Sequence, residues 1–193
     1  MSIRVLAFSF LTFLLGVTST VAVADVAIAV REAGDGFIVE ATIDAPVALQ
    51  TAWAVLVDYD HMATILDNLS SSKVASRNGN HLIVKQDGVA RFGLFSYPFQ
   101  VEREIRLEPM TRIRAKNLSG SIKRMESEVR LNAANKGTSV HIDYRAEFVF
   151  DSILAGLFAM SFLHHEVDEQ FRLMVAEMKR REAQLISGAP PTQ

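Results

Sequence analysis

The spacing of apolar positions changes along the chain, and each change predicts a new element. Polar and apolar residues alternate over Gly36–Ile43, as in a strand with one buried face. Val47–Val57 then carries Leu49, Trp53 and Leu56 at helical spacing. These patterns predict one strand followed by a short helix. A second short helix is predicted at residues 61–66, with the preceding aspartate, residue 60, as its cap.

The middle of the chain returns to a period of two and predicts six consecutive strands. In the clearest of them, Tyr97–Glu108, the residues Phe99, Val101, Ile105 and Leu107 share one face. Short turns rich in Gly, Asn and Pro separate the segments, which favours an antiparallel meander with one buried face. The six predicted strands are Leu69–Arg77, His81–Phe92, Tyr97–Glu108, Arg112–Leu118, Ser121–Ala133 and Thr138–Phe150.

A long helix is predicted from Phe158 to Leu185. Its apolar stripe consists of Met160, Leu163, Val167, Phe171, Met174, Met178 and Leu185. The predicted fold is therefore α+β. A curved antiparallel sheet of about seven strands wraps around the long C-terminal helix, and two short helices follow the first strand.

The first 24 residues predict a cleaved signal peptide. Arg4 precedes Val5–Val17, an uncharged stretch of 13 residues, and Ala22-Val23-Ala24 matches an A-x-A cleavage site. The alternatives are a cut after Ala29 and an uncleaved N-terminal anchor. We expect export to the bacterial periplasm, one domain at residues 25–186 and a flexible tail at 187–193. With no cysteine in the chain, a lipoprotein anchor is excluded.

Charge and motifs narrow the function classes further. The formal net charge is −2 and no basic cluster is present, so a nucleic-acid partner is not expected. The sequence lacks the motifs G-x-S-x-G, H-E-x-x-H, G-x-x-x-x-G-K-[ST] and G-x-G-x-x-G. No cofactor and no metal site are predicted, because His164 and its neighbour at position 165 point about 100° apart on a helix.

Several local motifs, in this order, resemble the START-like (SRPBCC) superfamily. Within it the chain is similar to the polyketide cyclase/dehydrase and ubiquinone-binding (coenzyme Q-binding) branch, which has the helix-grip fold of the birch pollen allergen. The resemblance covers about residues 37–185 and rests on Ala45-Pro46, Ala52–Asp60, Ser96–Phe99, Gly120–Arg124 and Thr138–Tyr144. It implies a deep apolar cavity between the sheet and the long helix, and a ligand such as a lipid, quinone, sterol or aromatic polyketide.

Polar residues on predicted inner faces are the first candidates for ligand contact, because burying them needs a partner. Arg103 falls on the apolar face of its strand, where a guanidinium needs an anionic or carbonyl partner. The alternatives are a bulge that turns it outward or a structural pair with a carboxylate. His164 flanks the helix stripe and is either a ligand contact or a core histidine bonded within the helix. The other polar candidates are Gln86, Asn117, Ser127 and Tyr144.

The apolar candidates for the cavity wall are mostly aromatic. They are Phe92, Phe99, Met125, Phe148, Phe158, Phe162 and Phe171. Tyr59 and Trp53 are expected to pack in the core, and Glu166 and Glu169 are expected to face solvent.

These features together predict a non-catalytic binding or carrier protein for a hydrophobic small molecule: a lipid, quinone-like or polyaromatic compound. The segment Ile153–Leu163 is apolar on nearly all sides, and we expect it either to be buried or to touch a membrane during ligand exchange. Two alternatives remain open. One is a cofactor-independent cyclase or dehydratase that uses a polar trio such as Arg103, Tyr144 and His164. The other is a protein-interaction module with a collapsed cavity.

Overall fold

The computed structural model describes residues 25–150 and 159–188, with no side-chain description for residues 25, 92 and 95. The predicted signal peptide, most of the predicted tail and residues 151–158 lie outside this part. The strands are β1 Asp25–Ala33, β2 Gly36–Ala45, β3 Leu69–Asn78, β4 His81–Phe92, β5 Phe95–Glu108, β6 Arg112–Gly120, β7 Arg124–Ala134 and β8 Ser139–Val149. The helices are α1 Leu49–Leu56, α2 Met62–Ile65 and α3 Ala159–Ser187, with a 3₁₀ turn Tyr59–His61 before α2.

All eight strands form one antiparallel sheet in the order β1-β2-β8-β7-β6-β5-β4-β3. From β3 to β8 each strand pairs with the next along the chain, as short turns dictate. β2 pairs with β8, and α1 and α2 lie between β2 and β3 in sequence. The predicted curved antiparallel sheet with a long C-terminal helix is confirmed.

The sheet has eight strands where about seven were expected, so the short helices follow the second strand. The additional strand, β1, pairs with β2 through contacts such as Val30 with Val39. Val26, Ile28 and Val30 are half-buried and alternate with exposed neighbours. The sequence pattern alone does not separate β1 from the predicted signal peptide, because the small apolar residues of β1 resemble a continuation of that segment.

The predicted cap of the second helix is wrong. Asp60 lies inside the 3₁₀ turn, and its Oδ1 accepts a hydrogen bond of 2.8 Å from the backbone N–H of Val74. No side chain caps α2. The carboxylate therefore attaches the turn to β3 rather than starting a helix.

The long helix buries one face against the sheet, as the stripe predicts. Leu163, Val167, Phe171, Met174 and Met178 are all buried. The stripe is wrong at its two ends, residues 160 and 185, whose side chains are 43% and 73% exposed because the sheet does not cover those turns.

Polar contacts fasten the C-terminal half of α3 to the short helices. Glu182 accepts hydrogen bonds from the Thr51 hydroxyl and, at 3.3 Å, from the Ala48 backbone N–H. Arg181 donates to Asp58 at 2.7 Å. These bonds hold α1 and the following turn against the helix and thereby close one side of the fold. No helix in the described ranges is long and apolar enough to cross a membrane.

Candidate ligand-binding cavity

An internal cavity of about 230 Å³ lies between the inner face of the sheet and α3. Strands β4 to β8 and α3 supply most of its wall, and α1, α2, the turn between them and the segments that flank β3, β7 and β8 supply the rest. Most wall residues are apolar, and β5 contributes every second residue from Tyr97 to Ile105. This alternation corresponds to the period-two pattern of the sequence, because successive side chains of a strand point to opposite faces of the sheet.

Nine of the thirteen predicted contact residues line this cavity. They are Gln86, Phe99, Arg103, Met125, Ser127, Tyr144, Phe148, Phe162 and Phe171. Their contact with a ligand stays a prediction. The side chain of Phe92 and the whole of Phe158 lie outside the described part of the chain.

His164 does not line the cavity, so the cavity wall gives no support to the prediction that it contacts the ligand. Its side chain is exposed on α3. His164 and Glu166 lie on opposite flanks of the apolar stripe, because successive helical residues are about 100° apart. The helix is rotated so that the flank with Glu166 faces inward and the flank with His164 faces outward.

Asn117 is also absent from the cavity wall. Its Nδ2 donates a hydrogen bond of 2.8 Å to the backbone carbonyl of Ile122, which ties β6 to the segment before β7. The pairing of β5 with β6 shifts register between Glu102 and Arg103, directly opposite this position. Asn117 therefore supports an irregular part of the sheet and has a structural role.

The polar part of the cavity is a chain of three side chains on adjacent strands. Arg103 on β5 donates through Nη2 to the side-chain oxygen of Gln86 on β4. Gln86 in turn donates through Nε2 to the Ser72 hydroxyl on β3 at 3.0 Å. Gln86 and Ser72 are 5% and 4% exposed, so the network is internal. It orients the guanidinium but supplies only neutral partners.

Two phenols complete the surroundings of Arg103. Tyr59 comes from the 3₁₀ turn and Tyr144 from β8, and both are close enough to interact electrostatically with the guanidinium. Burial raises the pKa of each phenol to about 12, against the opposing effect of Arg103. Both therefore stay neutral and can donate a hydrogen bond at physiological pH. The ring of Tyr144 packs edge-on against Phe171, with centroids 5.1 Å apart.

Arg103 itself has no acidic partner in the part of the chain that the structure describes. Its Nε is buried and makes no hydrogen bond. Burial lowers the pKa of the guanidinium from its usual value, although an arginine remains charged at neutral pH. The pairing of β5 with β6 shifts register beside Arg103, but the residue still lines the cavity rather than turning outward. The alternative of a structural pair with a carboxylate is not seen in the described part of the chain.

Glu166 is a second ionisable group at the cavity wall, and the expectation that it faces solvent is wrong. It is 7% exposed on α3, and its Oε2 accepts a hydrogen bond of 3.0 Å from Nδ2 of Asn68. Burial raises its pKa, while the bonds from Asn68 and from the backbone N–H of Arg91 oppose that rise. The Oδ1 atom of Asn68 is buried without a partner. Glu166 thus joins α3 to the loop before β3 and to the end of β4.

Sequence reasoning missed Tyr59, Asn68 and Glu166 as wall residues. Glu166 lies three positions after Leu163 of the stripe, which was a usable signal for an inward direction. Tyr59 and Asn68 lie in irregular segments, where no period reports a face. Within the described ranges, no three His, Asp or Glu side chains come together as a possible metal site.

The chain belongs to the family described as "Polyketide cyclase / dehydrase and lipid transport", whose model matches residues 43–172. The matched stretch begins in β2 and ends in α3, so it includes most of the cavity wall. No curated protein sequence matches the chain.

Solved structures with the same fold have low sequence identity. A START superfamily protein from Mycobacterium smegmatis superposes with a TM-score of 0.65 at 7% identity, covering 74% of this chain and 97% of that one. The ZhuI aromatase/cyclase from Streptomyces sp. R1128 superposes with a TM-score of 0.63 at 15% identity, covering 80% of this chain and 98% of that one. The protein TTHA0849 from Thermus thermophilus superposes with a TM-score of 0.64 at 13% identity, covering 75% of this chain and 98% of that one. These likenesses confirm the START-like, helix-grip fold.

Proposed function

We propose that the protein binds and carries a hydrophobic small molecule, such as a lipid, a quinone-like or a polyaromatic compound, in its internal cavity. The observation that carries this proposal is the apolar cavity with one half-buried arginine at its wall, whose Nε is buried without a hydrogen bond. An apolar pocket with a few fixed polar groups is the usual form of a small-molecule site. Apolar burial would supply affinity, and Arg103 with Tyr59 and Tyr144 would set the orientation.

The size of the cavity favours a slender ligand. Pockets for drug-sized molecules measure about 300–1,000 Å³, and this one measures about 230 Å³. A molecule with one chain or a few fused rings fits such a space better than a lipid with two long chains. A quinone could direct a carbonyl oxygen to Arg103 and its ring system towards Phe99 and Phe148.

We further propose that the protein acts in the cell envelope after export. The first 24 residues of the sequence have the features of a signal peptide, and an A-x-A site ends at Ala24. A cut after Ala29 would remove five residues of β1 and part of its pairing with β2. The fold therefore favours a cut after Ala24, which Edman sequencing of the secreted form would detect.

Contact with a membrane during ligand exchange is a further part of the proposal. Within the described part of Ile153–Leu163, Met160 is 43% exposed, whereas Leu163 is buried. Leu94, at the tip of the β4–β5 hairpin, is fully exposed. The backbone bond from Arg91 to Glu166 brings the hairpin near the first turns of α3. The two exposed side chains can thus belong to one apolar surface.

We expect Leu94→Ser to weaken binding to vesicles of mixed phosphatidylcholine and phosphatidylglycerol, measured by flotation. Leu185→Ser is the matched control, because Leu185 is also exposed but lies near the other end of α3. Equal vesicle binding by the wild type and both variants would contradict the membrane contact.

A cofactor-independent cyclase or dehydratase remains a second candidate, favoured by one observation. Glu166 is buried at the wall of the same cavity as Arg103 and Tyr144, so an acid and two donors share one space. The trio first considered for this chemistry is incomplete, since His164 is exposed. The cavity also weighs against the third alternative, an interaction module with a collapsed interior.

Native mass spectrometry of the protein purified from the cells that make it, followed by organic extraction, tests the proposal. We expect one small apolar molecule per chain, recovered unchanged in the extract. A chemically altered product formed from an added precursor would favour the enzyme. A chain that is always empty and takes up no apolar compound would contradict the carrier.

A further inference from the structure

Arg103 places a positive charge in the cavity wall without a matching negative charge. Of the described residues that line the cavity, only Arg103 and Glu166 carry a charge. The ionisable groups that interact electrostatically with Arg103 are Tyr59 and Tyr144. Those that interact electrostatically with Glu166 are Glu169 and His165. The two charged wall residues therefore do not form an ion pair with each other.

The internal bonds of Arg103 leave part of its binding capacity unused. Gln86 accepts one hydrogen bond from Nη2, while Nε is buried and has no partner. The residue is half-buried and lines the cavity, and Nη1 is neither buried nor hydrogen-bonded. An uncompensated charge of this kind is costly, and an apolar side chain of similar size would be more stable. Its retention calls for a partner from outside the chain.

We propose that the cavity takes a single-chain apolar acid, whose carboxylate contacts the two Nη atoms of Arg103. This inference rests on the proposed function and names the ligand class. A carboxylate matches the planar fork of an arginine and accepts charge-assisted bonds from its Nη atoms. A ketone or alcohol oxygen would leave the positive charge uncompensated. One arginine balances one negative charge, which favours a carboxylate over a phosphate.

The neighbours of Arg103 support an anionic head group. Tyr59 and Tyr144 stay protonated, because burial raises the pKa of each to about 12. Neither phenol hydroxyl is hydrogen-bonded to another described side chain, so each can donate to a second lone pair of the carboxylate. The head group would then be held by one full charge and by neutral donors.

The rest of the cavity suits an unbranched apolar tail. Val101 and Phe99 follow Arg103 on the inner face of β5, and Phe99 lies about 13 Å away at ~3.3 Å per residue. Met125 and Phe148 line the same path from β7 and β8. A single chain can extend along β5 with its head at Arg103, whereas a second chain would exceed the volume of about 230 Å³.

Isothermal titration calorimetry at pH 8 with the delipidated protein tests the inference. The ligands are decanoic acid, decan-1-ol and methyl decanoate, which share one chain and differ in the head group. We expect the acid to bind about 10- to 100-fold more tightly than the other two, as bonds to a charged group predict. Similar affinities for all three would overturn the acid inference and leave the carrier standing. No binding of any of them would overturn both.

Variants of one strand provide matched controls. Arg103→Met should remove the preference for the acid and leave the affinity for decan-1-ol within about threefold of the wild type. Arg106→Met removes the same charge from an exposed position on β5 and should leave all three affinities unchanged. Arg103→Lys keeps the charge but not the fork, so part of the preference should remain. An undiminished preference for the acid in Arg103→Met would overturn the assignment.

Discussion

The cavity can be tested through protein stability, by filling it. Val101 lies on the inner face of β5, is 7% exposed and lines the cavity beside Arg103. In Val101→Phe the larger ring can enter empty space. We therefore expect the substitution to leave the free energy of unfolding unchanged or to raise it, and to block ligand binding.

The size of the effect follows from the number of added carbon atoms. Phenylalanine has four more carbons than valine, worth up to about 3 kcal/mol at ~0.8 kcal/mol per buried carbon. Forcing the same group into a filled core costs about 1–3 kcal/mol instead. The free energies of unfolding of the two variants should therefore differ by at least about 1 kcal/mol, or about 2–4 °C in Tm for a domain of this size.

Val140→Phe is the matched control for the filled core. Val140 on β8 is fully buried and does not line the cavity. Thermal unfolding of the delipidated proteins should show a Tm at or above the wild-type value for Val101→Phe and a lower one for Val140→Phe. The affinity of Val101→Phe for decan-1-ol should fall at least tenfold. Equal loss of Tm in both variants would refute the reasoning, because it would mean that no space exists beside Val101 in solution.

Two further substitutions test the wall. Because burial raises the pKa of Glu166, its contribution to stability is full below the ordinary value of 4.5 and is lost as the pH rises through the folded-state pKa. The Tm of Glu166→Gln minus that of the wild type, measured by calorimetry, should therefore increase as the pH is raised from 4 to 8. A Tm difference that does not change with pH would contradict this. In Gly88→Ala the added Cβ would overlap the Asn68 carbonyl oxygen and lie 2.7 Å from the Phe99 ring. We expect the free energy of unfolding, measured with denaturant, to fall by about 1–3 kcal/mol. A change below about 0.5 kcal/mol would show that the loop with Asn68 can move away from the added Cβ.

The sequence predicted those parts of the site that lie on regular strands. On β5, alternation alone assigned Phe99, Val101 and Arg103 to one face, and all three line the cavity. A strand offers only two faces, so a buried set of apolar residues determines the direction of every side chain between them. This is why an arginine on the inner face could be predicted before its surroundings were known.

The side-chain directions of α3 were harder to predict, because side chains leave a helix in all directions around its axis rather than on two faces. His164 and Glu166 both border the apolar stripe, and periodicity alone could not decide which of them turns inward. The choice depends on how α3 rotates against the sheet, which is a property of the packed fold. The same limit applies to Tyr59 and Asn68, whose positions follow from turns without a repeating pattern.

The strand count failed for a different reason. β1 was hidden because Val26, Ile28 and Val30 continue the apolar character of the preceding segment. Only the pairing with β2 distinguishes a strand from the end of a targeting sequence, and such pairing is a long-range property.

The central claim is that an apolar molecule occupies the space between the sheet and α3. The most direct test is NMR with ¹³C-methyl-labelled protein and unlabelled decan-1-ol, a neutral ligand whose binding does not depend on a charge at Arg103. We predict intermolecular NOEs from the ligand to the methyl groups of Val101, Met125 and Met174, which line the cavity, and none to Val140 in the filled core. Ligand contacts confined to exposed methyl groups such as those of Leu94 or Leu185 would contradict the claim.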